Sequence, residues 1–285
     1  MSGMVYLNGQ FMPSQVATVP IDDRGLLYGD GLFETMRADG GHVAWLDRHL
    51  RRLYNAAERM RIAIPETPAL MAAAVSELVR QNGAGDLAVR LTVTRGPHAG
   101  RTPFRDAPGP ATRIITARPL PAFGAELFER GIRAITVDCP SRDAAPSRGL
   151  KTLAYLDFLF YRDWADQNDA FEAILIDTAG RVVEGASSNV FVVKDGMIAT
   201  PDVRVGLLPG VVRDVVLEAI REMGAPVEER TVFGGELTEA DEIFVTNSLV
   251  ELVSVTTLLT GGREIALERA VAEHVGTWLA KKKCG

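Results

Sequence analysis

Lysine is scarce in this chain. Of the 31 lysines and arginines in 285 residues, five are lysines. Lys281, Lys282 and Lys283 stand in the C-terminal tail, so the body of the chain holds only Lys151 and Lys194. Chemistry that needs a primary amine has two positions to choose from. Lys194 sits in Lys194-Asp195-Gly196, which reads as a plain hairpin turn. Other absences exclude whole classes. The four histidines (His42, His49, His98, His274) are scattered, and Cys139 and Cys284 stand far apart. That pattern gives no zinc-type ligand spacing and no disulfide framework, and it fits a reducing cytoplasm. No apolar run approaches the ~20 residues of a membrane helix, and the N-terminal segment does not read as a secretion signal. A net charge of −6 without Lys/Arg clusters is a poor footprint for nucleic acid.

What is present is ordinary globular material, 47% apolar and 24% charged, long enough for one large domain or two moderate ones. MVYLNGQFM reads as strand, Asn8-Gly9 turn and strand. Residues 31–36 and 86–94 are strand-like, the second by clean alternation. Leu46, His49, Leu50, Leu53, Ala56, Ala57 and Met60 fall at helical spacing within residues 45–61, and a second helix is predicted over 67–81. Residues 95–110 form a long loop and 113–117 a strand. The segment 119–125 is the best linker. Beyond it come a strand over 132–137 and an apolar helix starting at Lys151 and running to about Gln167. Strands follow at 173–176 and 190–193, a helix at 210–223, a strand at 242–246 and a last helix at 267–279. The expected class is α/β with mixed α+β character: a smaller domain over 1–118, a linker over 119–125 and a larger domain over 126–285. Two such domains meeting at a cleft would offer a ligand site.

Three features could carry chemistry. Lys151 precedes an apolar stretch, where desolvation favours the neutral, nucleophilic amine; a surface lysine on a loop is the bland alternative. Glu184 lies inside the strand-like run VVEGASSNVFVV. There it faces water at a strand edge or pairs with a buried cation such as a protonated ring nitrogen, and the small residues Gly185 to Ser188 admit a flat ligand. The helix opened by Leu208-Pro209-Gly210 presents unpaired backbone N–H groups, an anion site that needs no side chain. Arg52 on the first long helix could add a bidentate charge, or simply be exposed.

Together these residues resemble the class IV aminotransferases, the fold-type-IV enzymes that use pyridoxal 5'-phosphate. That family takes in branched-chain aminotransferases, D-amino-acid aminotransferases and aminodeoxychorismate lyases. The matching motifs are DRGLLYGDGLFETMR (23–37), HLRRL (49–53), RLTVTRG (90–96), LKTLAYL (150–156), EGASSNVF (184–191), LPGVVRD (208–214) and DEIFVTNSL (241–249), in the family's order. The resemblance implies the two-domain fold of the D-amino-acid aminotransferases, with 126–285 as the cofactor-binding domain. It makes Lys151 the Schiff-base lysine and pairs Glu184 with the pyridinium nitrogen. Arg52 and the backbone at Val211 and Val212 would take the phosphate, with Ser248 as a further phosphate or substrate contact. Tyr155 would reach the phenolic oxygen, and Ser188 lies in the cofactor loop. Tyr28, Phe33, Arg37 and Arg90 are implied substrate residues. No metal is implied, and a homodimer is.

The resemblance leaves two reactions open: amino transfer between an amino acid and a 2-oxo acid, and pyruvate elimination by a 4-amino-4-deoxychorismate lyase. RGPHAGRTPF places His98 before Arg101, the reverse of the order in D-specific enzymes. FETMR replaces the FEGIR of the branched-chain group, and Ala88 stands where that group has tyrosine. Thr35 matches a lyase threonine used in proton handling, and GPATRI (109–114) with Asn247-Ser248-Leu249 echoes the same enzymes. Transfer is the leading expectation.

Overall fold

The computed structural model describes residues 3–83, 85–97 and 110–283. His98, Arg101 and Cys284 lie outside them, as does most of the expected loop 95–110. The chain divides into two compact units: Met1–Pro121 with Leu150–Tyr155, and Ala122–Gly149 with Leu156–Gly285. The first passage, from Pro121 to Ala122, falls inside the segment 119–125. The return of Leu150–Tyr155 to the first unit is something a single boundary does not foresee.

The first unit contains β1 (Met4–Leu7), β2 (Gln10–Pro13), α1 (Arg24–Tyr28), β3 (Gly31–Asp39), β4 (His42–Val43), α2 (Leu46–Met60), α3 (Pro68–Gln81), β5 (Leu87–Thr94) and β6 (Thr112–Pro119). Its six strands run in the order β2-β1-β6-β5-β3-β4, with antiparallel pairings. Asn8 and Gly9 both take positive φ, the conformation an Asn-Gly hairpin requires. Period-two alternation sorts β3 into two faces. Leu32, Met36 and Ala38 join a core with Leu50 and Leu53 of α2 and Val75 and Leu78 of α3. Phe33, Thr35 and Arg37 project from the other face. Thr67 caps α3 by accepting a hydrogen bond from the Leu70 N–H, with Pro68 in the first turn, where a missing N–H does no harm.

Lys151 does not open a helix, which corrects the reading of KTLAYLDFLFY as one helical run. The Phe33 N–H donates to the Lys151 carbonyl at 2.9 Å, and the Leu153 N–H donates to the Gly31 carbonyl at 3.0 Å. Residues 151–153 thus line the start of β3, whose far end is paired with β4 at Ala38 and Asp39. Pairing these backbone groups outranks the apolar periodicity that suggested a helix. Gly31 makes the approach possible: a Cβ there would stand 2.6 Å from the Val93 carbonyl oxygen and 2.7 Å from Leu153 Cδ1.

The second unit contains α4 (Ala125–Arg130), β7 (Ile132–Cys139), α5 (Leu156–Gln167), β8 (Glu172–Asp177), β9 (Val182–Gly185), β10 (Asn189–Lys194), β11 (Met197–Pro201), α6 (Val211–Glu222), β12 (Val227–Arg230), α7 (Gly234–Glu239), β13 (Glu242–Asn247), β14 (Glu251–Thr260), β15 (Arg263–Ala266) and α8 (Ala270–Lys283). Its sheet runs β12-β11-β10-β13-β14-β7-β8-β9, with β15 beside β14. Parallel pairs (β11 with β12, β14 with β7, β7 with β8) mix with antiparallel ones, so the class is α/β of mixed type. On one face of β10 and β13, Val190, Val192, Ile243 and Val245 enter the core. On the other, Phe191 stacks on Phe244 at 4.8 Å, and Asn189 stands opposite Thr246. Among the described residues no helix is long and apolar enough to cross a membrane.

Candidate active site

In the first unit, four expected residues come together. The Lys151 ammonium nitrogen lies 4.6 Å from the centroid of the Phe33 ring and 5.9 Å from that of Tyr155. The two rings meet edge to face, 5.4 Å apart. The Arg90 guanidinium lies 3.8 Å over Phe33. Thr35 projects from the same face of β3 and stands opposite Arg90 in the sheet register. The other lysine of the body, Lys194, is exposed and 3.3 Å from Asp241.

Arg52 is placed differently from a bare anion-binding arginine. Its Nε and Nη2 donate to the Glu34 carboxylate at 2.8 and 2.6 Å, and His49 Nδ1 lies 2.8 Å from the same group. Burial pushes the Glu34 carboxyl up. The Arg52 charge and hydrogen bond and those of His49 outweigh it, holding the carboxyl at about 2. His49 is held below its ordinary value, first by burial, against the pull of Glu34, with Arg52 and Lys151 adding to the lowering. A neutral His49 therefore donates its Nδ1–H to an ionised Glu34. Neither residue stands out in the sequence. The available signal is parity: Glu34 falls on the core-facing positions of β3, and His49 on the apolar face of α2.

Arg37 directs Nε to Asp39 at 2.7 Å and Nη2 toward Asp86 at 3.7 Å. Tyr28 ends α1, 64% exposed, with Arg24 4.7 Å over its ring. Neither belongs to the ring cluster around Lys151.

In the second unit, Glu184 is 5% exposed, which answers the water-facing alternative for this carboxylate. Its Oε2 accepts from the Leu208 N–H at 3.0 Å, and the Leu208 carbonyl accepts from Asn189 Nδ2 at 2.9 Å. The peptide before the α6 turn is thus fixed on both sides. Helix α6 then starts at Val211 and Val212, both buried, with Gly210 as N-cap and no side-chain cap. Asn189 packs so close that a Cβ on Gly210 would stand 2.0 Å from its Oδ1. Thr246, opposite Asn189 on the same sheet face, has a buried Oγ1 without a hydrogen-bond partner among the described residues. Ser248 follows in the turn between β13 and β14, where Asn247 Oδ1 accepts from the Leu249 and Val250 N–H groups.

Ser188 turns its hydroxyl inward. Ser187 Oγ and Ser188 Oγ donate to Glu172 Oε2 at 2.7 and 2.8 Å, and the Ala173 N–H donates to Oε1 at 3.0 Å. Glu172 is fully buried, and burial, against those hydrogen bonds, pushes its carboxyl above the ordinary range. Nothing in the sequence marks it, because FEAILID reads only as a strand.

The family profile for amino-transferase class IV matches residues 31–258. The chain belongs to the class IV aminotransferases. It is 40% identical over 255 residues to a putative branched-chain-amino-acid aminotransferase of Methanocaldococcus jannaschii, covering 88% of this chain and 86% of the relative. It is 36% identical over 257 residues to a D-alanine aminotransferase of Bacillus licheniformis, covering 89% and 88%. Among solved structures, the branched-chain aminotransferase of the archaeon Thermoproteus uzoniensis with norvaline superposes with a TM-score of 0.87 at 28% identity, covering 99% of this chain and 94% of that one. Another branched-chain amino acid aminotransferase, solved with pyridoxamine 5'-phosphate, superposes with a TM-score of 0.88 at 29% identity, covering 99% and 95%. This class IV aminotransferase thus has relatives in both the branched-chain and the D-alanine group.

Proposed function

We infer that this class IV aminotransferase binds pyridoxal 5'-phosphate and moves an amino group between an amino acid and a 2-oxo acid, with Lys151 as its covalent lysine. The observation that carries the assignment is the Lys151 nitrogen set against the Phe33 and Tyr155 rings, while Lys194 is tied to a surface aspartate. The cofactor supplies a carbonyl for an amine and a cationic ring that withdraws electrons from the carbon next to it. The residues present fit that group. Glu184 is a buried carboxylate suited to a protonated ring nitrogen. The start of α6, without a side-chain cap, offers the Val211 and Val212 N–H groups to a phosphate, with the Thr246 hydroxyl, unpartnered among the described residues, on the adjoining sheet face.

Lys151 Nζ has two duties in this reading. It would hold the cofactor covalently in the resting enzyme, and as a free amine it would carry a proton to and from the substrate carbon. Arg52, held by Glu34, presents a fixed positive charge for the phosphate. Ser188 contributes through the turn it forms with Glu172. The relatives from Methanocaldococcus jannaschii and Bacillus licheniformis are both named as aminotransferases, which supports transfer over pyruvate elimination.

A homodimer is part of the proposal. Leu156, Leu159, Phe160 and Trp164 form one exposed apolar stripe on α5, and such a stripe marks a protein interface. A reducing cytoplasm is part of the same reading, supported by two cysteines far apart in the sequence rather than a disulfide framework.

Purified protein should be yellow and lose that colour with borohydride, and Lys151→Ala should not capture the cofactor covalently. A colourless protein, or an active Lys151→Ala variant, overturns the assignment. Comparing 2-oxoglutarate-dependent amino transfer with pyruvate release from aminodeoxychorismate separates transferase from lyase.

A further inference from the structure

Two polar links tie β3 to α2, and their spacings match. The core-facing row of β3 runs Leu32, Glu34, Met36, and Asp30 precedes it by the same step of two. Glu34 grips Arg52 and His49 of α2. Asp30 is joined to the far end of the same helix through Arg95. Arg95 Nε donates to Asp30 Oδ2 at 2.8 Å, and Nη2 donates to Oδ1 at 3.0 Å. Nη1 also donates to the Arg61 carbonyl and Nη2 to the Met60 carbonyl, each at 3.0 Å. Met60 and Arg61 close α2, where the last carbonyls lack helical partners and a cation is favoured. From Asp30 to Glu34 the extended chain covers about 13 Å. From Arg52 to Met60 the helix covers about 12 Å. With links so nearly equally spaced on both elements, the strand cannot pivot on the helix.

The second link is buried. Arg95 is 1% exposed, and Asp30 also accepts from Arg24 Nε at 2.9 Å. Burial raises the Asp30 carboxyl, and the hydrogen bonds and charges of Arg95 and Arg24 outweigh it and hold it below its ordinary value. An apolar pair could serve stability as well, because desolvation offsets much of the attraction between buried charges. What the guanidinium adds is direction, since its donors lie in one rigid plane. The backbone repeats the contact: the Arg95 N–H donates to the Asp30 carbonyl at 3.1 Å. The residues that follow Asp30 carry the lysine segment, Gly31 by accepting from Leu153 and Phe33 by donating to the Lys151 carbonyl. A Cβ on Gly29 would stand 3.0 Å from the Ala154 nitrogen. Residues 29–33 are thus the bed on which 151–154 lie, and Asp30 is where that bed is fastened to α2.

We propose that Arg95 and Asp30 are positioning residues for Lys151: they fix the start of β3, and with it the reactive amine, at a set distance from Arg52. The proposal rests on the roles inferred above for Lys151 and Arg52, and it assigns the spacing between those two to a buried ion pair at the end of α2. A cofactor held at both its phosphate and its carbonyl needs the two grips correctly spaced. Binding through the phosphate alone does not.

The test separates the two grips. Pyridoxamine 5'-phosphate has an amine in place of the carbonyl, so it can use the phosphate site and cannot bond Lys151. Its affinity for Asp30→Asn and Arg95→Gln should stay close to wild type. The rate of covalent capture of pyridoxal 5'-phosphate, read by absorbance after borohydride quenching, should fall at least about tenfold, because displacements on the order of 1 Å suffice for such losses. Arg95→Lys, which keeps the buried charge, should lie between. Hydrogen exchange followed by mass spectrometry should be faster in peptides over 29–33 and 150–155 and unchanged in α3. Wild-type capture rates in Asp30→Asn and Arg95→Gln overturn the proposal. Equal losses for both cofactor forms, with exchange raised throughout, overturn it too, because that pattern is general loosening. If either variant does not fold, Arg95→Lys decides by the same readings. Failure of the Lys151 assignment would show separately, as wild-type protein that captures no pyridoxal 5'-phosphate.

Discussion

The carboxylate of Glu184 accepts a hydrogen bond from the backbone N–H of Leu208 at 3.0 Å, joining the proposed partner of the ring nitrogen to the turn that opens α6, the proposed phosphate site. One residue thus has an electrostatic and an architectural role, and the two can be separated. Glu184→Gln keeps an acceptor for Leu208 and removes the charge. Its thermal midpoint should stay close to wild type, while kcat falls by about 10²-fold or more, the usual scale for losing a fixed charge at a reacting centre. Stopped-flow absorbance with a saturating amino acid reads the effect. A variant with full kcat would detach Glu184 from the chemistry.

Glu172 should behave in the opposite way, as a residue for stability more than rate. Glu172→Ala strips the partner from two serine hydroxyls and should destabilise the fold by about 1–3 kcal/mol in denaturant titrations. The pH dependence has a definite sign. The folded carboxyl is raised, so its contribution is intact at acidic pH and shrinks as pH rises through the folded value. Glu172→Gln cannot ionise, so it should flatten that decline. Midpoints that fall equally with pH in both proteins would contradict it.

For Glu34 the sign reverses. Its folded carboxyl is held near 2 against an ordinary 4.5, so its stabilisation is complete above 4.5 and is lost as pH falls toward about 2. Arg52→Ala leaves that buried carboxylate with His49 and should cost about 3–5 kcal/mol, more than a simple surface arginine. Arg52→Lys should recover part of the stability and little of the cofactor affinity, because a lysine lacks the planar fork that sets two parallel donors on Glu34. Cofactor titrations of the two variants would show whether Arg52 serves the phosphate.

Gly210 should tolerate no side chain. A methyl group there meets Asn189 Oδ1 at 2.0 Å, so Gly210→Ala must displace Asn189 and release the Leu208 carbonyl. The expected destabilisation is about 1–3 kcal/mol, as for other overpacked sites, with weakened pyridoxal phosphate binding. Wild-type affinity in this variant would argue against the start of α6 as the phosphate site.

Phe160→Glu places a charge in the middle of the α5 stripe. Sedimentation should show the proposed dimer weakened or replaced by monomer, and an unaffected dimer would put the interface elsewhere.

Much of this is legible in the residues. The alternation of β3, the cap at Thr67, the Asn-Gly hairpin and the helix after Gly210 all follow from local rules, and the structure reproduces them within a few positions. Lys151 emerges by elimination and by motif, but its backbone conformation does not. The apolar run after it continues to Gln167, while the hydrogen bonds that keep residues 151–153 extended come from Gly31 and Phe33, far away in sequence. Long-range pairing of that kind leaves no periodic trace. The same limit hides Glu172 and the Glu34–His49 pair, whose roles arise from what packs around them.

The path of the chain around Lys151 also restricts how this protein can be rearranged. A fragment ending at Pro121 would contain every strand of the six-stranded sheet and still lack Lys151, the proposed reactive amine. A fragment starting at Ala122 would carry that amine without the strand that orients it. The lysine is spatially part of one unit and covalently embedded in the other, so neither half can be swapped between relatives as an independent module. Recombination breakpoints that preserve activity should therefore avoid any exchange that draws β3 and residues 150–155 from different parents.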